Sequence, residues 1–211
     1  MDPRVAEEVP MHTVVTRPEL PVRPGRRERR AARRRLRRVD ALSAQLAQLL
    51  ALRTLLEDAV EIVRRGWIQG AWFAVDLGDR TRAVSAPEIG LTRDREVTGA
   101  CLVGAVVQAG GGPEAVRSQP VQRALDLVWH SLREDAGQRV RWCPGPPVRM
   151  IHVLDLTHWN DAPERTRGDV VELLRSTVAT ADAQRERCRS ERAALAGSLH
   201  LAPREPRFVP R

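Results

Sequence analysis

The sequence predicts a mainly α-helical domain of about four to five helices, broken by an irregular Trp- and Gly-rich segment with room for a short strand pair. Three observations lead there. Apolar residues recur at helical spacing in four substantial segments, alternating β-branched runs are scarce, and no internal repeat is present. With 211 residues, the chain can hold one domain of about 130 to 150 residues plus extensions.

The first 25 residues contain Pro3, Pro10, Pro18, Pro21 and Pro24 with little apolar periodicity, which predicts a disordered arm over 1–25. From Arg26 the pattern turns helical: an Arg-rich segment, 26–41, runs in phase into a globular domain expected over 42–196. Val39, Leu42, Leu46, Leu49, Leu56, Val60 and Val63 share the a and d positions of one heptad register, interrupted by Arg53, and Gly66 ends the helix. Leu50, Leu52, Leu55 and Ile62 widen the apolar surface beyond a two-residue seam, as in a helix packed into a core. A homodimer through the Leu42 to Val63 helix, laid out like a basic zipper, is the rival reading.

From Gly66 to Val97, four glycines, one proline and three aromatic residues predict irregular structure with a short helical turn around Trp72. A second helix is expected from about Glu96 to Gln108, ended by Gly110, Gly111 and Gly112, and a third from about Ser118 to Glu134. Arg141 to Pro147 reads as a rigid loop, and Val148 to Leu156 suits strand or helix equally. Thr166 and Asp169 form a capping box for a last helix reaching about Leu195, before a Pro/Arg tail over 197–211.

Charge is concentrated. Residues 23–38 hold ten arginines and one glutamate, whereas the whole chain sums to +8, so the remainder is close to neutral. One dense run is the footprint expected for a polyanion or an acidic partner, the plain alternative being a solvated face that only keeps the protein soluble. The chain contains no lysine, which excludes Schiff-base chemistry, a lysine general base and the phosphate-loop lysine. Three widely spaced cysteines fit a reducing cytosol, and the absence of a signal-like N-terminus or an apolar stretch of about 18 residues predicts a cytoplasmic protein without membrane contact.

Leu55 to Ala181 resembles an uncharacterised actinobacterial and phage domain family of unknown function. Gly66-Trp67, Ala100 through Ala105 and Trp159-Asn160-Asp161 carry the resemblance, with Thr166, Val170 and Leu174 opening the final helix. It implies one compact domain with variable extensions and no assigned activity, leaving the Arg-rich run outside the shared part.

Candidate chemistry is sparse. Cys101 near a helix start, followed by His152, His158 and Asn160, has the order of a Cys-His-Asn site, against a plain reading of Cys101 as a small buried hydrophobe. His152, Asp155 and His158 could share a helix face as metal ligands, but paired cysteines and HExxH are missing, so no metal or cofactor is expected. Trp159, Asn160 and Asp161 could orient a polar ligand, or simply build a turn before Pro163.

The expectation is therefore a non-catalytic accessory or regulatory protein that binds DNA or RNA through phosphate contacts. Arg26, Arg27, Arg29, Arg30, Arg33, Arg34, Arg35, Arg37 and Arg38 are its candidate residues. The alternative is a small Cys-dependent enzyme or ligand-binding domain using Cys101, His152, His158, Trp159, Asn160 and Asp161.

Overall fold

The structure, a computed structural model, describes residues 25–92, 95–133, 140, 142 and 145–200. The Pro-rich arm before Gly25, the tail from Leu201, and Arg141, Cys143 and Pro144 of the expected loop lie outside the described residues.

Helix α1, Arg26–Arg65, runs unbroken from the arginine-rich segment into the core and ends at Gly66. Glu28 supports its start, accepting a hydrogen bond from the Gly25 N–H at 2.7 Å. Leu42, Leu49, Leu56 and Val63 are buried inside the chain itself, so the leucine seam already has its partners in cis. The main one is the last helix, Arg167–His200, which runs antiparallel to α1: Arg38 meets Glu191 near one end, and Arg53 lies 3.3 Å from Asp182 further along. The arginine that interrupts the heptad thus sits where α1 meets an acid of that helix.

The short strand pair allowed for in the Trp- and Gly-rich segment is present, as a hairpin of β1, Phe73–Asp76, and β2, Thr81–Val84, whereas the helical turn expected at Trp72 does not form. The reversal is local: Asp76 Oδ1 accepts from the Gly78 N–H at 2.7 Å, and Gly78 takes a φ of 90°, a left-handed conformation that favours glycine. The helix expected from Glu96 is also corrected. Val97–Ala100 is strand β3, paired antiparallel to β1, and helix α2 starts only at Leu102 and ends at Ala109. Cys101 separates them as the N-cap of α2, its Sγ accepting from the Gly104 N–H at 3.3 Å. The order β2-β1-β3 buries Phe73 and Val75 against the helices.

Two glycines permit this packing. A Cβ at Gly66 would overlap the carbonyl oxygen of Thr98, and one at Gly104 would overlap that of Trp72, so α1 and α2 could not approach the sheet as closely.

Helices α3, Gln119–Arg133, and α4, Pro146–Asp161, complete the layer, and the ambiguous stretch from Val148 to Leu156 is therefore helical. Asp126 of α3 is 2% exposed and holds Arg149 of α4 through two hydrogen bonds of 3.1 and 3.0 Å. Trp129 Nε1 donates to Asp155 at 3.0 Å. The last helix, α5, opens with the expected capping box: the Thr166 N–H donates to Asp169 Oδ2 at 2.8 Å and the Asp169 N–H to Thr166 Oγ1 at 3.2 Å. It continues past Leu195 to His200.

Candidate nucleic-acid interface

Three segments far apart in sequence converge on Asn160, which is fully buried in the last turn of α4. Its Oδ1 accepts from Trp67 Nε1 at 2.9 Å and from the Leu102 N–H, the first of α2, at 3.0 Å. Its Nδ2 donates to the Ile68 carbonyl at 3.3 Å and to Asp161 Oδ1 at 2.7 Å. Asp161 Oδ1 also accepts from the Gly70 N–H at 3.0 Å, and Gln69 Nε2 donates to the Asn160 and Ala162 carbonyls, each at 2.9 Å. Every polar atom of the Asn160 amide group has a partner. The arrangement ties the segment after α1, the start of α2 and the end of α4 into one joint. Asn160 acts there from inside a helix, not from the turn that its neighbours Asp161 and Pro163 suggest. Trp159 beside it carries the Arg165 guanidinium 4.1 Å from its ring centroid.

Cys101 borders this joint with its thiol sealed. Burial pushes its pKa up to about 12, outweighing the Gly104 N–H that favours the thiolate. A nucleophilic cysteine needs the reverse. His152 stacks on Trp129, ring centroids 3.7 Å apart, and its buried Nδ1 has no hydrogen-bond partner among the described residues. Burial lowers its pKa from the ordinary 6.5. His158 is exposed, and Asp155 is engaged by Trp129 and, at 3.5 Å, by Arg133. Among the described residues no group of three or more His, Cys, Asp or Glu side chains is placed to hold a metal ion.

The arginine segment has different geometry. Arg26, Arg27, Arg29, Arg30, Arg33 and Arg34 are exposed, as are Arg35, Arg37 and Arg38, on helical turns continuous with the core part of α1. Arg38 donates through Nε and Nη2 to Glu191 Oε1, at 2.8 and 2.6 Å. Below it, Leu42 of α1 and Ala181, Gln184 and Cys188 of α5 are buried at helical spacing. The arginines therefore project from a two-helix stalk. Four of them, Arg26, Arg29, Arg30 and Arg33, line a hollow of about 260 Å³.

An arginine–tryptophan pair that no sequence motif announces lies at the base of that stalk. Arg123 of α3 lies 5.1 Å from the Trp142 ring centroid and donates to Gln48 of α1 at 2.7 Å. Trp142 and Arg123 line two adjoining hollows, of about 350 and 480 Å³. The only signal in the sequence is a tryptophan next to an arginine in a segment that reads as a loop. Among the described residues, no helix is long and apolar enough to cross a membrane.

Residues 47–180, well over half of the chain, match the model of a family described as a family of unknown function (DUF6197). No curated protein and no solved structure matches the chain. Residues 26–46 of α1 and 181–200 of α5, which form the stalk, lie on either side of the matched region.

Proposed function

The chain belongs to the DUF6197 family of unknown function, and from that premise we propose that it is a non-catalytic accessory or regulatory protein that binds nucleic acid through the phosphates. The observation that carries this reading is the stalk. Nine exposed arginines between Arg26 and Arg38 stand on a helix held in place by α5. Repulsion among them opposes helix formation, and phosphates supply the neutralising charge. A pre-formed helix loses less conformational freedom on binding than a disordered arm.

The Asn160 joint supports a scaffold role for the core: its amide is fully occupied by the protein's own groups, which favours structure over ligand chemistry at Trp159, Asn160 and Asp161. We read Gly66-Trp67, Ala100 to Ala105 and Trp159 to Asp161 as the family's structural signature, in a protein of actinobacterial or phage origin working in the cytoplasm. The stalk, outside the matched region, then supplies what is particular to this chain.

The test is equilibrium binding of labelled duplex DNA and single-stranded RNA to the full chain and to a full-length variant with eight of these arginines replaced by glutamine, Arg38 being kept so that its pair with Glu191 is retained. Glutamine keeps a high helix propensity, so α1 is preserved. Loss of binding in the variant is the expected result; equal binding by both proteins would sink the proposal.

A further inference from the structure

The arginine face of the stalk leads directly to the hollows around Trp142. Along α1, Arg26, Arg30, Arg33 and Arg37 follow one another at steps of three and four, and the same stripe continues through Ala41, Ala44 and Gln48. Its upper part lines the four-arginine hollow; its lower part lines the hollow of about 480 Å³ that contains Arg123, Trp142 and Gln184. The adjoining hollow adds Arg117 and Gln122, together with Arg149, whose charge is held by the Asp126 carboxylate that also lines it. From Arg26 to Gln48 the track extends about 33 Å at 1.5 Å per residue.

We propose that this track binds single-stranded nucleic acid, with phosphates on the arginine stripe and a base lodged against the Arg123–Trp142 pair. The inference rests on the nucleic-acid reading above and narrows it to one class of ligand. Arginines alone would serve duplex and single strand alike, because both present phosphates. An aromatic ring paired with a guanidinium at the end of a cationic stripe discriminates, since only an unpaired base can leave its stack to lie against such a surface. The hollows have the volume of ligand sites, about 300 Å³ or more. Their lining carries amide groups for a base edge: Gln48 Nε2 can donate and Gln122 Oε1 can accept, their other amide atoms being held by Arg123 and by the Val116 carbonyl, and Arg117 is exposed for the adjoining phosphate. Small side chains at Ala41 and Ala44 leave the path between stalk and tryptophan open.

The experiment is fluorescence anisotropy with a labelled oligothymidylate of about 15 nucleotides, a length within the range such grooves cover, and a duplex of equal length, against the full chain. Wild type is expected to bind the single strand more tightly than the duplex. Trp142→Ala should weaken single-strand binding about tenfold and leave duplex binding unchanged, with Trp142→Phe restoring most of the loss. Arg117→Gln, a surface change that spares the core, should weaken the single strand a few-fold and lower the log–log salt slope by about 0.7. If Trp142→Ala and Arg117→Gln both bind the single strand as wild type does, or the duplex binds equally well, the track is refuted. In that case a quadruple substitution of Arg26, Arg30, Arg33 and Arg37 by glutamine that still abolishes binding leaves the broader proposal standing. If the quadruple variant binds normally, both fall.

Discussion

Arg38 and Glu191, 153 residues apart in sequence, meet through two hydrogen bonds of 2.8 and 2.6 Å to one carboxylate oxygen. Both side chains are nearly half exposed, so the pair contributes at most about 1 kcal/mol. Its significance is positional. It marks where α5 lies beside the arginine run, and with Arg53 near Asp182 it fixes the antiparallel register of the stalk.

Asn160 satisfies Trp67 Nε1 and the first N–H of α2 with a single oxygen. Asn160→Ala leaves both donors unpartnered, at about 1–3 kcal/mol each, so urea unfolding should show a loss of about 3 kcal/mol or more. Asn160→Asp keeps the acceptor but places a second carboxylate against Asp161, and should also destabilise the fold. A stability within a few tenths of a kcal/mol of wild type for both would show that the joint is not structural.

Gly104 and Gly197 are both helical, yet they should respond oppositely to alanine. Overlap of the new Cβ with the Trp72 carbonyl predicts a cost of at least about 1–3 kcal/mol at Gly104. At Gly197 an added Cβ meets nothing within 4 Å, and helix propensity predicts a gain of up to about 1 kcal/mol. Thermal or urea midpoints of the two variants check the sign.

Cys101, buried and with its thiol pushed up to about 12, should resist alkylation in the native protein at mildly alkaline pH and react after unfolding. Peptide mapping after iodoacetamide treatment reads this directly. Rapid native labelling at Cys101 would point back towards a nucleophile.

His152 has its pKa lowered by burial, so the unfolded chain takes the proton first. Its contribution to stability is complete above about 6.5 and is lost as pH falls from there towards the folded pKa. His152→Phe, which keeps a ring against Trp129, should remove that part of the pH dependence. Measuring urea midpoints at about pH 7.5 and 5.5 for both proteins decides it; identical pH dependence would contradict the assignment.

The helices were legible because their apolar spacing is dictated by burial on one side: α1, α3 and the capping box of α5 follow from Leu42 to Val63, Val121 to Leu132, and Thr166 with Asp169. The sheet was not. Its strands are four residues each, too short for alternation to stand out, and Val97–Ala100 passes into α2 through Cys101 with no proline or charged break. The motif residues were visible, but the joint was not, because Asn160 meets Trp67 across 93 positions and only tertiary packing brings them together. The arginine run announced its charge in sequence; that α5 would hold it on a stalk depended on Cys188, Gln184 and Glu191, which look like an ordinary helix tail.

Contact between the stalk's arginines and phosphates is best examined through the salt dependence of nucleic-acid affinity, in the full chain and in its Arg26, Arg30, Arg33 and Arg37 to glutamine variant. Each lost contact should lower the log–log slope by about 0.7 for a single strand or about 0.9 for a duplex, together with a large fall in affinity at low salt. Identical slopes and affinities for the two proteins would mean that the arginines do not hold phosphate.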